Sequence, residues 1–298
     1  MRALLAHSTS TAPVLEDVAP PALGPRDVRV QVAAAAVNPV DVMVVTGPLR
    51  SVVGLPDPVG LGWDVSGIVA EIGHDVTGLS PGDRVAGLLL LFDLKPSVGT
   101  HADETVLPAD AVARVPDGLD LVEAASLPLT ALAARQALDL LGPAAGRTLL
   151  VTGGAGAVGG HATALATRAG WRVTALARAS DADFVARAGA ELVTELPGPS
   201  FDAVLDAAVL LESALGAVRD GGSFVGVAPA SPVAAQRGID VRTLNAVPDN
   251  AALAELLALA AEGALEVRLA GRVALREAAR AYDEVARAGH RGRWLLIP

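Results

Sequence analysis

There is no cysteine in this chain, which excludes disulfides, thiolate metal centres and a cysteine nucleophile. Aromatic residues make up only 3%, while 52% of the 298 residues are hydrophobic, so the core is built chiefly from Ala, Val and Leu. Small side chains at that frequency suit closely packed helix–sheet layers, and they also fit a GC-rich coding bias. Positive charge is short: 23 Lys and Arg face 33 Asp and Glu, a net charge of −10. Such a surface repels a phosphate backbone, and without a basic block it argues against a nucleic-acid partner. An anionic cofactor must then be held by backbone amides and one or two well-placed Arg residues. Long hydrophobic runs are missing too. Ala86–Phe92 is too short to span a bilayer and ends at Asp93. The opening residues Met1–Pro13 lack the long apolar core of a signal peptide. A soluble, cytoplasmic protein with no membrane partner is expected.

The length suits one large or two ordinary domains. Over the first 110 residues or so, short strands are broken by turn signals. Asp27–Val32 alternates with period two, and Pro and Gly recur at Pro20-Pro21, Gly24-Pro25, Gly47-Pro48, Pro56, Pro58 and Pro81-Gly82. This texture predicts an irregular all-β unit. Leu121–Leu141 then reads as one helical segment kinked near Pro128. From Thr148 strands and helices alternate: a strand to Thr152, a helix over 157–169, a strand over Trp171–Ala177 and a helix over 181–188. Phe201–Asp206 follows as a strand, 212–218 as a helix and Gly222–Val227 as a strand. Such alternation means βαβ crossovers and a parallel sheet. Further helices are expected over Asn250–Glu262 and Arg276–Ala288, with a last strand at Trp294–Ile297.

Gly154-Ala155-Gly156-Ala157-Val158-Gly159 reads G-x-G-x-x-G. Alone the pattern is weak, because the chain holds 31 glycines. Its context is what counts: it follows an apolar strand, Leu149-Leu150-Val151, and opens a helix, as a dinucleotide site requires. Gly154 is expected to permit the tight turn, Gly156 the approach of a pyrophosphate and Gly159 close helix–strand packing. Thr152 and Gly153 lead into this loop, and the amides of Ala157 and Val158 start the helix that faces the anion. The alternative is an ordinary glycine-rich strand–helix turn. A site for NAD places Asp or Glu at the end of the second strand. Here Ala177 stands there, followed by Arg178, which can pair with a 2′-phosphate. NADPH is the expected cofactor, unless Arg178 is only a solvated surface residue.

Beyond the glycine loop, several segments in order resemble the medium-chain dehydrogenase/reductase superfamily, and within it the zinc-free quinone oxidoreductase branch that includes zeta-crystallin. They are Ala36–Asp41, Gly62–Val69, Pro81–Gly87, Glu123–Leu132 and Phe201–Asp206. The resemblance implies an α/β architecture: a GroES-like β-rich catalytic domain over 1–119 and 265–298, and a Rossmann doubly wound parallel-sheet domain over 120–264. In zinc-dependent relatives a Cys ligand stands where this chain has Asn38, and a His-Glu pair where it has Trp63-Asp64. Neither replacement makes a zinc site, so no metal is expected. Positions that hold a Tyr and an Arg in many quinone reductases carry Met43 and Val45. A later family Tyr appears as His101. The family also implies a homodimer, with Gly222–Ala228 and Ile239–Val247 as candidate edge segments.

Hydride transfer needs no protein nucleophile, because the nicotinamide carries the reactive hydride. The candidate catalytic residues are Asn38, Asp41 and Asp64. Asn38 is the candidate donor to an oxygen or to the nicotinamide carboxamide, unless it forms an Asx turn before Pro39. Asp41 is expected to orient its neighbours, and Asp64 to close a polar network or a buried structural hydrogen bond. Thr130 resembles a family position near the nicotinamide, against a helix-packing role. Met43, Trp63 and His101 are the candidate pocket residues, with Trp63 in the core and His101 exposed as the alternatives. Tyr282, the only tyrosine, reads as structural. The expected activity is NADPH-dependent hydride transfer, without zinc, to a small apolar quinone or α,β-unsaturated carbonyl, with a stand-alone enoyl reductase of a polyketide-type pathway and a non-catalytic NADPH-binding protein as alternatives.

Overall fold

The computed structural model describes residues 1–90, 98–228, 230–287 and 289–298, without the side chains of Pro48 and Ser51. The end of the Ala86–Phe92 run and Asp93 therefore lie outside the described residues. Two compact units emerge: Met1–Leu129 with Val247–Gly263 and Val267–Pro298, and Thr130–Ala246 with Ala264–Glu266.

The first unit opens with strands β1 (Arg2–Ala6), β2 (Val14–Asp17) and β3 (Asp27–Val37). Helices α1 (Pro39–Val45) and α2 (Pro48–Val53) come next, then β4 (Val59–Gly60), β5 (Asp64–Ile72), β6 (Arg84–Leu88), β7 (Glu104–Pro108) and β8 (Val112–Arg114). The strand read at Asp27–Val32 runs on to Val37, its alternation giving way to continuous burial from Ala34, and Val28, Val30 and Val32 enter a core with Val65, Val69, Val85 and Leu107. An all-β front was expected, but α1 and α2 interrupt it. Each starts with a proline at its first turn, a position where the missing N–H costs nothing. The expected kinked helix is two helices, α3 (Leu121–Ala124) and α4 (Pro128–Leu141). Asp120 caps α3 by accepting the Glu123 N–H at 3.0 Å. Proline disfavours helical geometry at the residue before it, so Pro128 begins a new helix instead of bending the old one.

The second unit has the expected alternation. Strand β9 (Thr148–Thr152) leads to α5 (Ala157–Arg168), β10 (Arg172–Leu176), α6 (Ala182–Arg187) and β11 (Glu191–Val193). Then come β12 (Phe201–Asp206), α7 (Glu212–Leu215), β13 (Val218–Gly226) and β14 (Asp240–Thr243). These strands are parallel, in the order β11-β10-β9-β12-β13-β14. Chain direction across the sheet reverses between β9 and β12, which makes their carboxyl ends a topological switch point. The helix expected over 212–218 is one turn long, because Val218 already pairs with Phe201. Gly222–Ala228 cannot be a sheet edge: β13 lies between β12 and β14, and the edge is β14.

The chain then returns to the first unit through α8 (Asn250–Ala261), which was expected in the Rossmann part. This helix packs on β8 and buries Leu253, Leu256 and Leu257. Strand β15 (Leu269–Ala274), not foreseen, precedes α9 (Ala278–Arg287) and β16 (Arg293–Ile297). Strand β16 pairs antiparallel with β3 and parallel with β15, completing the order β15-β16-β3-β5-β6-β8, with β7 also on β3. No helix among the described residues is long and apolar enough to cross a membrane.

Candidate functional site

In the first unit the polar candidates gather where β3 ends. Pro39 restricts Asn38 to extended backbone (φ −112°, ψ 156°), which ends the strand and starts α1. Asp41, three residues on, reaches back. One carboxylate oxygen accepts the Asn38 N–H at 2.8 Å, the other the Gly62 N–H at 3.1 Å. Gly62 sits at φ +102°, and a Cβ there would lie 2.4 Å from Thr100 Oγ1, so only glycine fits. Asp64, two residues later, accepts the Leu129 N–H at 2.6 Å on Oδ1. Its Oδ2 accepts Asn38 Nδ2 and Arg293 Nη2, both at 2.9 Å. Arg293 opens β16 and donates also to Asn38 Oδ1 at 2.7 Å.

His101 and Tyr282 complete this cluster. The His101 Nε2 lies 3.1 Å from the Ala36 carbonyl, which can only accept, so that nitrogen carries the proton. In the neutral ring Nδ1 then accepts, and the Tyr282 hydroxyl donates to it at 2.9 Å. Burial supports the neutral form by pushing His101 down to about 4. Burial likewise drives the Asp41 carboxyl up to about 7, against the Asn38 hydrogen bonds, the Arg293 charge and the Gly62 amide. Asp64 is raised by burial and pulled back chiefly by Arg293, while Tyr282 is held well above its usual range by burial and by Asp41. Asn38, Asp41, Asp64, His101, Tyr282 and Arg293 are all buried.

These contacts revise several expectations. Asn38 was the candidate donor to a ligand, but its amide protons go to Asp64 and to the Ala36 carbonyl at 3.3 Å, and its oxygen is taken by Arg293. A buried amide must satisfy its own groups, and here it does so internally. His101 is buried, not exposed, and Trp63 is also buried, at 6% exposure. Met43 lies 39% exposed on α1 and makes no part of the cluster. Arg293 was missed altogether. Its signal was faint: in Arg293-Trp294-Leu295-Leu296-Ile297 the period of two puts the Arg on the same strand face as Leu295.

A zinc ion does not suit these residues. Asn38 and Asp64 are already paired to a buried guanidinium, and no cysteine exists to complete a tetrahedral set. Among the described residues no group of three or more His, Cys, Asp or Glu is placed to hold a metal.

In the second unit the glycine loop crosses from β9 to α5. The turn's positive φ falls at Gly153 (+59°) and not at Gly154, where it was expected. A Cβ on Gly154 would lie 2.5 Å from Ala175 Cβ, so that glycine serves the approach of β10. On Gly159 a Cβ would lie 2.2 Å from the Gly153 oxygen, which fixes close packing of α5 on the turn. Gly156 is the N-cap of α5, where a Cβ would touch only the Gly153 oxygen, at 3.0 Å. Outward of Gly156 the space is open, and the amides of Ala157, Val158 and Gly159 have no partner within the helix. This cradle fits an anionic pyrophosphate. Thr152 points inward: its hydroxyl donates to Asp206 at 2.6 Å and accepts the Ala208 N–H at 3.0 Å. Arg178 is exposed just past β10, beside half-buried Ala177, and its N–H is accepted by Asp181 at 3.1 Å. Thr130 is buried in the first turn of α4.

Comparison with known proteins extends this picture. Residues 24–117 match the alcohol dehydrogenase GroES-like domain, and 180–296 the zinc-binding dehydrogenase family. The chain is 33% identical over 221 residues to a 2-methylene-furan-3-one reductase of Solanum lycopersicum, covering 70% of this chain and 56% of that protein. It is 32% identical over 310 residues to a pikromycin polyketide synthase component of Streptomyces venezuelae, covering 94% of this chain and 8% of that much longer protein. The chain thus spans about half the length of the first relative and a small part of the second. A quinone oxidoreductase from Coxiella burnetii has a similar structure, with a TM-score of 0.89 and 26% identity, covering 100% of this chain and 99% of the other. Glycine loop, domain families and whole-chain similarity agree: this chain belongs to the medium-chain dehydrogenase/reductase superfamily.

Proposed function

We propose that this chain is a zinc-independent, NADPH-dependent oxidoreductase that delivers hydride to a quinone or an α,β-unsaturated carbonyl. The observation that carries the reading is the glycine cradle at the switch point of the parallel sheet, where an open-sheet α/β fold binds its ligand. When bound, the nicotinamide supplies the hydride. The chain's own part is to hold and orient: the α5 amides face the pyrophosphate, and Arg178 faces the 2′-phosphate where a carboxylate would favour NAD. The reductase of tomato and the quinone oxidoreductase of Coxiella burnetii support the acceptor class. No proton donor is assigned to Tyr282, whose buried hydroxyl is spent on His101.

A second reading, an enoyl reductase of a polyketide-type pathway, is favoured by the match to the pikromycin synthase component across 94% of the chain. Quinones, enones and enoyl thioesters offered with NADPH, and in parallel with NADH, decide between the two by the best acceptor. Arg178→Ala is expected to raise KM for NADPH about ten- to a hundredfold, the worth of a hydrogen bond to a charged group, and to leave NADH unchanged. Equal use of NADH by the wild type would overturn the NADPH assignment. Binding of NADPH with no acceptor turned over would favour a non-catalytic binding protein.

A further inference from the structure

The turn that follows β12 carries two backbone anomalies. Val209 has φ +57°, and Leu211 has φ +55° with ψ −123°. A β-branched residue at positive φ is an outlier, and the Leu211 combination is one that glycine alone adopts readily. Packing does not account for the strain at Val209, which is 44% exposed beside Leu210 at 37%. The shape is held from below. Asp206, 1% exposed, accepts the Leu210 N–H at 3.1 Å on one oxygen and the Leu211 N–H at 2.8 Å on the other. Thr152 donates to the same carboxylate and accepts the Ala208 N–H, which ties the turn to the residue before Gly153. A Cβ on Gly153 would lie 3.2 Å from Ala208 Cβ, so the turn borders the glycine cradle. Beside it, Val209, Leu211, Phe224 and Val227 line one small hollow at the carboxyl ends of β12 and β13.

Strain persists only where the surroundings over-determine it, and it gathers at ligand clamps. We propose that the Ala207–Leu211 turn is a preorganised apolar strap of the dinucleotide site, and that Asp206 is the positioning residue that holds it in shape. This rests on the dinucleotide reading above. Asp206 touches no ligand; it acts by keeping Val209 and Leu210 exposed next to the cradle. A relaxed turn would sample other shapes, and apparent affinity falls by the fraction of time spent away from the competent one.

Fluorescence titration of NADPH and thermal melts of the whole chain test the idea. Val209→Gly is expected to raise Tm, because glycine takes positive φ without strain, and to raise the Kd for NADPH about tenfold, because the strap loses its apolar side chain. Val209→Ala keeps the strained φ and part of the apolar side chain, and is expected to weaken NADPH by a smaller factor, about threefold, with no rise in Tm. Asp206→Asn sets an amide NH2 against donors, and is expected to weaken NADPH while kcat at saturating NADPH and KM for the acceptor hold. A Val209→Gly protein with higher Tm and unchanged Kd would show strain with no bearing on the cofactor. That result, or wild-type affinity for NADPH in a folded Asp206→Asn protein, overturns the proposal. If the wild type binds no NADPH, the dinucleotide reading itself fails. Should Asp206→Asn not fold, the two Val209 variants still decide.

Discussion

Arg293 shows how much one side chain can hold. Its guanidinium is buried and pairs with Asp64 and Asn38, residues 229 and 255 positions away in the sequence. Burial lowers its pKa and the two carboxylates restore it, with Asp64 the stronger of them. Two acids facing one base leave Asp41 as the group that gives up its charge, and burial drives it toward protonation. Removing the guanidinium strands Asp64 without a counter-charge, at a cost of about 3–5 kcal/mol for a buried pair broken on one side. Arg293→Met is therefore expected to lose about that much in urea unfolding, and Asp64→Asn in the same chain to recover part of it through coupling. A surface-like loss below about 1 kcal/mol would mean the pair is hydrated and contributes little. No spacing in the sequence links Arg293 to Asp64, which is why the cluster's acids were legible and its base was not.

At the scale of elements, the β9–α5 crossing is where sequence and geometry meet most closely. Gly159→Ala would place its Cβ about where the Gly153 oxygen stands, since the ideal position is only 2.2 Å away. Backbone on one side and a helix on the other leave no flexible group to yield. Overpacking of this kind costs about 1–3 kcal/mol and shifts α5 off the turn. Loss of both stability and NADPH affinity is the expected outcome, by thermal melt and fluorescence titration. Gly156→Ala, whose Cβ would meet only the Gly153 oxygen at 3.0 Å, is expected to lose affinity with a smaller fall in Tm than Gly159→Ala. If both variants bound NADPH like the wild type, the cradle would not be the site. This crossing was readable because a G-x-G-x-x-G loop, an apolar strand and a helix lie within one short stretch. The break between α3 and α4 was not, because apolar periodicity continues through Ser126-Leu127-Pro128 while the backbone does not. Strand β15 escaped for another reason: Leu269–Ala274 has a bulge between Leu269 and Gly271 that spoils the alternation.

On the scale of the whole molecule, two buried groups, Asp41 and His101, pull stability against pH in opposite directions. Asp41 has a folded pKa of about 7, above its ordinary value of 3.8. Between those values the folded state holds a proton that the unfolded chain has released, so stability falls with rising pH, by up to about 1.4 kcal/mol per unit. His101 has a folded pKa of about 4 against an ordinary 6.5, so between those values the unfolded chain holds the extra proton. Stability from that group rises with pH and is lost as pH falls through about 4. The two slopes overlap and oppose each other from about pH 4 to 6.5, while Asp64, also raised by burial, adds to the fall of stability with rising pH. Asp41→Asn removes one of them. Its amide cannot accept from both the Asn38 and Gly62 N–H groups, so the variant starts from a lower stability. The slope is independent of that offset. Urea unfolding at several pH values should therefore show Asp41→Asn gaining stability relative to the wild type as pH rises from 4 to 6.5, by up to about 1.4 kcal/mol per unit. Parallel profiles for the two proteins would mean that Asp41 ionises at its ordinary pKa, and that the cluster around Arg293 carries both carboxylates charged.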